Sequence, residues 1–349
     1  MDSFPDHSLS LCSLNKPITL GKTRLPNRVF YAPLAGCSDF AFRKMNALYK
    51  PGLMYCEMVK MDALVRNDYN TFRLLDYSAD MHPIGGQICG SKPAIAGQAA
   101  RIIEELGFDV VDLNCGCPVD KVTKDGSGSG MLRTPQLIGE VISQMVAAVS
   151  IPVTVKVRAG WDEESINTVE IAKIAKQAGA KAITVHARTR QQAYHGPANW
   201  EYIRAVKEAV PDLVLIGNGD VFSPEAAASI MQTTGCDAIL VARGTMGHPW
   251  IAQDILQAER GIPVKSRGFE EIRAALYQHF EYTLQHQSVR NAIIDMRRIG
   301  CWYFKKASGT RAFREQISRA NDADVIKKLI LEFPFEEVLE EDPCATDSA

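Results

Sequence analysis

Eight short runs rich in β-branched and aromatic residues recur along this chain, with helical patterns between them: VFYAP from Val29, LMYCEM from Leu53, PIGGQI from Pro83, VVDLN from Val110, VTVKVR from Val153, AITVHA from Ala182, VLIGNGD from Val214 and AILVARG from Ala238. Strands that alternate with helices pair in parallel, because each helical crossover returns the chain to the same end of the sheet. Eight such units over roughly 230 residues fit a closed (β/α)8 TIM barrel, an α/β fold, with an open doubly wound sheet as the rival. Helix boundaries agree with this spacing. Ser223 and Pro224 supply an N-cap and a first helical residue before EAAASIMQ, and Lys92-Pro93 opens AIAGQAARIIEEL, which Gly107 ends.

HPWIAQDIL and then GIPVKSRG follow the last strand, which places the barrel at 29–258 and a linker at 259–268. From Phe269 the β-rich alternation stops, and GFEEIRAALYQHFEYTL through ADVIKKLILEF reads as several packed helices, a C-terminal all-helical domain over 269–338. Residues 1–28 are a lead-in and 339–349 an acidic tail. Nine cysteines, an odd number scattered through strands and loops, argue for reduced thiols rather than a disulfide framework. No apolar run approaches the roughly 20 residues of a spanning helix, and the opening lacks a signal pattern, so a cytoplasmic protein without a membrane partner is expected. The formal net charge of -2 argues against a uniformly basic nucleic-acid binder. Locally the balance differs: between Arg290 and Lys328 ten basic residues, Arg297 and Arg298 among them, stand against four acidic ones. Such an excess suits a phosphate-binding face, with a solvated helix surface as the alternative.

In a barrel of this kind the chemistry lies at the carboxyl ends of the strands. Those positions are polar here: Gln87, Asn114 through Pro118, Lys156 and Arg158, His186 and Arg188, Asn218 to Asp220, and Arg243-Gly244. The turns Gly217-Asn218-Gly219-Asp220 and Ala242-Arg243-Gly244 follow strands seven and eight, where many barrels hold a phosphate on backbone N–H groups. Lys156 on an apolar strand is costly to bury without a partner, and three outcomes stay open on spacing alone: a reduced flavin, a buried carboxylate such as Asp112, or a Schiff base. His186 reads as a core histidine or a ligand, and the neighbouring Arg188 favours the second. Cys115 and Cys117 lack further Cys or His partners at ligand spacing, so no metal is expected.

These strand ends resemble the tRNA-dihydrouridine synthases, most closely the bacterial B type. The matching stretches run in order through the barrel: APLAGCSDFAFR, GGQICGS, DLNCGCPVDKVTKDGSGSGML, VTVKVRAGW, ITVHARTRQQAYHG, IGNGDV and LVARGTMGHPW. The segment VTKDGSGSGML is less basic than in many members, which bears on contacts to the RNA backbone. The resemblance implies an FMN site in which Pro33, Leu34 and Ala35 line the ring, Gln87 and Lys156 bond its polar edge, and His186 lies close to it. Asn218, Gly219 and Asp220, with Ala242, Arg243 and Gly244, then hold the ribityl phosphate. Cys117, immediately before Pro118, is the implied catalytic cysteine, and Cys115 packs. Asn114, Lys121, Arg158 and Arg188 at the barrel mouth, with Arg297 and Arg298 on the helices, are the candidate contacts to tRNA.

The implied reaction reduces specific uridines, D-loop ones in most of the family, to 5,6-dihydrouridine: hydride passes from reduced FMN to C6 and a proton from Cys117 to C5. An ordinary thiol, with a pKa of about 8.5, is mostly protonated near neutrality and suits an acid role without activation. NADPH is the implied reductant, and no GxGxxG fingerprint follows a strand, in keeping with both substrates using one flavin face in turn. A stacked uridine has to be extruded to reach that face. No obligate protein partner is evident. The rivals are another FMN barrel oxidoreductase acting on a free small molecule, against which the basic helices argue, and a non-catalytic RNA-binding protein, in which Cys117 would be dispensable.

Overall fold

The computed structural model describes residues 13–305 and 309–335. The acidic tail at 339–349, residues 1–12 of the lead-in, and Lys306 lie outside the described residues. All eight apolar runs form strands: β1 (Val29–Tyr31), β2 (Leu53–Tyr55), β3 (Ile84–Cys89), β4 (Val110–Cys115), β5 (Val153–Arg158), β6 (Ala182–His186), β7 (Val214–Asn218) and β8 (Ala238–Val241). Each pairs in parallel with the next, and β8 pairs with β1 through Ile239↔Val29, Leu240↔Phe30 and Val241↔Tyr31, so the sheet closes. The doubly wound alternative is thereby excluded. The expected helix boundaries are present: Ser223 Oγ accepts from Ala226 N at 3.3 Å, Pro224 is the first helical residue, and Gly107 leaves the preceding helix at φ 87°.

Strand alternation divides the side chains between two apolar cores. One lies between strands and surrounding helices and takes Val111, Leu113 and Cys115 of β4 and Val153, Val155 and Val157 of β5. The other fills the barrel interior with Phe30, Leu53, Tyr55, Val110, Ala182, Ile216 and Leu240. Gly85 faces the Tyr55 ring, where a Cβ would come within 2.5 Å, so glycine is what lets that ring enter the barrel. Within the 1–28 lead-in the structure adds local order. Ile18–Leu20 and Thr23–Leu25 form an antiparallel hairpin, turned at Gly21 with φ 55°, whose Ile18, Leu20 and Leu25 belong to the interior core. The hairpin packs with the residues near the amino ends of β4, β6 and β8, and so floors the barrel. Leu20 is fully buried there, and Leu20→Ala is expected to cost about 3 kcal/mol, read as a lowered denaturant midpoint. A loss under about 1 kcal/mol would show that the hairpin is an ornament.

Contacts divide the chain into two compact units, one through Thr245 with Trp250–Val264, the other Met246–Pro249 with the chain from Lys265 onward. The second unit contains the helices Phe269–His286, Val289–Tyr303, Thr310–Arg319 and Ala323–Glu332. Its core is aromatic: Phe304 stacks on Phe335 at 4.0 Å between centroids and meets Phe313 edge-on at 5.3 Å. Sequence periodicity assigned Met246–Pro249 to the barrel. In the structure these four residues go with the helical unit, where Lys305 Nζ donates to the Met246 carbonyl at 3.3 Å.

Candidate active site

A period of two aims Gln87 of β3, Asp112 and Asn114 of β4, Thr154, Lys156 and Arg158 of β5, His186 of β6 and Asn218 of β7 into the barrel, since the residues between them face the outer core. The register sets them side by side: Gln87 beside Asp112, Asn114 beside Lys156, Arg158 beside His186, and His186 beside Asn218. Strand-end polar residues far apart in sequence thus share one mouth.

Buried polar side chains here are joined in a chain of hydrogen bonds. Thr154 Oγ1 donates to Asp112 Oδ1 at 2.6 Å, Gln87 Nε2 to Asp112 Oδ2 at 2.7 Å, and Asn114 Nδ2 to Gln87 Oε1 at 2.8 Å. Asn114 Oδ1 then accepts from Gly116 N at 3.1 Å and Cys117 N at 2.9 Å. On the other side the Cys117 carbonyl accepts from Ser129 N at 3.1 Å and Ser129 Oγ at 2.9 Å. Gly128, at φ 57°, lies so close beneath that a Cβ would meet the Cys117 carbonyl at 2.9 Å. The GSGSG run is therefore a bed for the cysteine loop. Cys117 itself is half-buried, whereas Cys115 is fully buried in the outer core with its Sγ 3.7 Å from Met131 Sδ. No group of three or more His, Cys, Asp or Glu side chains among the described residues is arranged to hold a metal.

Asp112 does not pair with Lys156. Both its oxygens are taken by Gln87 and Thr154, and burial pushes its pKa up to about 6 against those bonds and the charge of Lys156. Burial, then the neighbouring Arg158, push the Lys156 ammonium down to about 8, and it makes no hydrogen bond or ion pair among the described residues. His186 is held well below its ordinary value, first by burial and then by Lys156, Arg158, Arg188 and Arg243, so its imidazole is neutral. It too lacks a hydrogen-bond partner among the described residues. A cation and a neutral donor without protein acceptors, at the end of a sealed barrel, fit an electron-rich planar ligand.

Beyond them lies a cradle at the ends of β7 and β8. Asp220, at φ 55°, accepts from Arg188 Nη2 at 2.6 Å, Arg243 Nη2 at 3.1 Å and Ala198 N at 2.8 Å. Burial opposes its ionisation, but these bonds more than offset that and hold its pKa below the usual range. Arg188 is 2% exposed, and its Nη1 is buried without a hydrogen-bond partner. Gly244 packs so tightly that a Cβ would meet the Val221 carbonyl at 2.3 Å, and Gly219 takes φ 139°. An orphaned guanidinium nitrogen beside two glycine-bared backbones fits a phosphate. Asn218, expected at the ligand, donates from Nδ2 to the Leu240 carbonyl at 2.7 Å, which braces the turn. Asp220, also expected there, is an acceptor that orients the two arginines.

The loops at the mouth are held by arginines. Arg158 donates from Nε to Gly116 O at 2.9 Å and from Nη1 to Thr189 O at 2.7 Å and Ala193 O at 2.8 Å, leaving Nη2 without a hydrogen bond among the described residues. Tyr194, exposed and missed in the sequence, lies 4.9 Å from the Arg243 guanidinium and 6.5 Å from the His186 ring. Trp161 is flanked by Arg133 at 4.2 Å and Arg190 at 4.6 Å, and Arg190 pairs with Asp120. Lys121 and Lys124 are exposed, while Pro33 and Leu34 are half-buried and Ala35 exposed on the loop that Ser38 Oγ pins at Leu34 N, 2.8 Å away.

In the helical unit the expected basic face is thinner than its count. Lys327 pairs with Glu281 at 2.7 Å, Arg319 with Glu315 at 2.6 Å, and Arg298 with Asp295 at 3.4 Å. Arg297 Nη2 donates to Ala320 O at 3.0 Å and Asn321 Oδ1 at 2.8 Å, so the half-buried side chain also holds a turn. Arg290, Arg311 and Arg314 are exposed and have no ion pair among the described residues.

Comparison with known proteins agrees in sequence and in fold. Residues 30–338 match the family model described as dihydrouridine synthase. The chain is 37% identical over 309 residues to tRNA-dihydrouridine synthase B of Pseudomonas aeruginosa, covering 88% of this chain and 92% of that one. It is 35% identical over 332 residues to a probable tRNA-dihydrouridine synthase 1 of Synechocystis sp., covering 94% and 92%. Among solved structures, histamine dehydrogenase from Rhizobium sp. 4-9 superposes with a TM-score of 0.55 at 14% identity over 77% of this chain, which spans about half the length of that protein (51%) and shares its barrel fold. Taken with the closed barrel and the ordered strand-end motifs, the match over residues 30–338 establishes that the chain belongs to the dihydrouridine synthase family.

Proposed function

We propose that the protein reduces specific uridines of tRNA, in the D-loop, to 5,6-dihydrouridine in the cytoplasm, with FMN as cofactor and NADPH as reductant. The observation that carries this reading is the cysteine loop: Cys117 is anchored on both sides of its peptide by Asn114 and Ser129, near Lys156 and a neutral His186 that make no hydrogen bond among the described residues. When bound, FMN reduced by NADPH supplies the hydride that uracil C6 accepts. Pro33, Leu34 and Ala35 line its ring, Gln87 and Lys156 face its polar edge, and Arg188, Arg243, Gly219 and Gly244 hold its phosphate. Cys117 gives the proton to C5 from its thiol. Arg158, through the Nη2 that makes no hydrogen bond among the described residues, and Tyr194 bind the extruded base, Asn114 supports them by holding the cysteine loop, and the exposed arginines of the helical unit grip phosphates of the tRNA.

Dihydrouridine mapping in tRNA from a strain lacking the gene tests the reading: loss at D-loop positions, restored by the wild-type gene, is expected. An unchanged dihydrouridine map would overturn it, and a colourless purified protein would overturn the flavin. Charge reversal at Arg311 and Arg314, one turn apart on the same helix face, is expected to weaken tRNA binding and lower the salt slope by about one for each phosphate released. Equal affinity at every salt concentration would remove these residues from the interface. Among the described residues no helix is long and apolar enough to cross a membrane.

A further inference from the structure

We infer that Asp112 is a positioning residue for Cys117: its carboxylate is the terminal acceptor that fixes the direction of the Gln87–Asn114 amide chain, and the far end of that chain holds the cysteine loop in place. This deepens the proposed reaction and rests on it for the catalytic consequence alone.

A side-chain amide is nearly symmetric in shape. The oxygen and nitrogen ends of Gln and Asn are almost equal in shape, so only the partners decide which way each points. Asp112 is 2% exposed, and its two oxygens accept from Gln87 Nε2 at 2.7 Å and Thr154 Oγ1 at 2.6 Å. Against a carboxylate Gln87 can present only its nitrogen, which turns Oε1 toward Asn114. Asn114 must then give Nδ2 to Gln87, and its Oδ1 is left for the N–H groups of Gly116 and Cys117. Reversing either amide sets oxygen against oxygen or N–H against N–H at every link, in a site where unpaired polar groups are costly. Lys156 cannot substitute as the organiser, because it bonds to none of these groups. Asp112 lies two residues below Asn114 on the same strand face and is covered by the pair above it, so it acts through them.

Asp112→Ala is expected to raise amide hydrogen exchange of the Asn114–Pro118 segment about tenfold, the order that loss of one net hydrogen bond produces, while strands β6 to β8 keep their protection. Turnover of tRNA uridine should fall with kcat, and KM for tRNA should stay unchanged. Asp112→Asn should restore both, because the substituted amide can offer its oxygen to Gln87 Nε2 while the Thr154 hydroxyl rotates to accept from its nitrogen. Should Asp112→Ala fail to accumulate, Asp112→Leu fills the volume and is read in the same way. Unchanged exchange at 114–118, or Asp112→Asn behaving like the alanine variant, would overturn the assignment. The exchange measurement requires neither flavin turnover nor tRNA, so it stands or falls separately from the uridine reaction.

Discussion

Cys117→Ala is expected to keep its flavin and to be reduced by NADPH at close to the wild-type rate, while oxidation by tRNA slows about 10²- to 10⁴-fold, the range for loss of a positioned general acid. The separation follows from where the cysteine is held. Its N–H and carbonyl, not its thiol, make the bonds to Asn114 and Ser129, so truncation at Cβ leaves the loop in place. Rapid-mixing absorbance of the two half-reactions checks this directly. A tRNA half-reaction within about twofold of wild type would remove Cys117 as the proton donor, far short of the loss expected of a general acid.

Lys156→Met is expected to slow flavin reduction by NADPH about 10²- to 10³-fold, comparable to loss of an oxyanion-hole donor, with the base-binding loops untouched. It should also change the pH profile. Burial, then Arg158, push the Lys156 pKa to about 8, so the ammonium is present below that value and is lost above it. Wild-type flavin reduction should therefore fall with rising pH, with a midpoint that the bound flavin's negative charge moves above the flavin-free value, and the Met variant should show no such step. Stability should run the other way. In the flavin-free protein the unfolded chain binds the lysine proton more tightly than the folded one, so wild-type stability rises with pH between about 8 and the ordinary lysine value. Lys156→Met should be more stable than wild type at neutral pH. A less stable variant with an unchanged pH profile would mean that Lys156 serves the barrel core.

The barrel was legible because its strands carry their own signal. Runs such as VTVKVR and AITVHA are dense in β-branched residues, and polar residues interrupt them at a period of two. That period also places Asp112 and Asn114 on one face of β4, so the amide chain was within reach of the sequence once strand register was known. The floor hairpin was not, because three-residue strands such as Ile18–Leu20 are too short for periodicity to register. The internal bonds of the arginines were out of reach for a related reason. Arg158 reaches carbonyls 31 and 35 residues away, and Arg297 one 23 residues away. Which guanidinium is taken up inside the fold and which is left for RNA depends on loop closures that no local pattern encodes.

Glu259, at the end of the helix after the last barrel strand, accepts from the backbone N–H of Leu14 at 2.5 Å and of Asn15 at 2.8 Å. Those bonds join residues 245 and 244 positions apart, and the β8–β1 seam and the floor lie in the same stretch of chain. A growing polypeptide therefore holds its amino-terminal strand unpaired on one edge until nearly the whole first unit has been synthesised. At about 5–20 residues per second that interval lasts on the order of 10 to 50 s, during which the β1 edge is open to other chains. The ring can therefore close only after its last strand, Ala238–Val241, has been made.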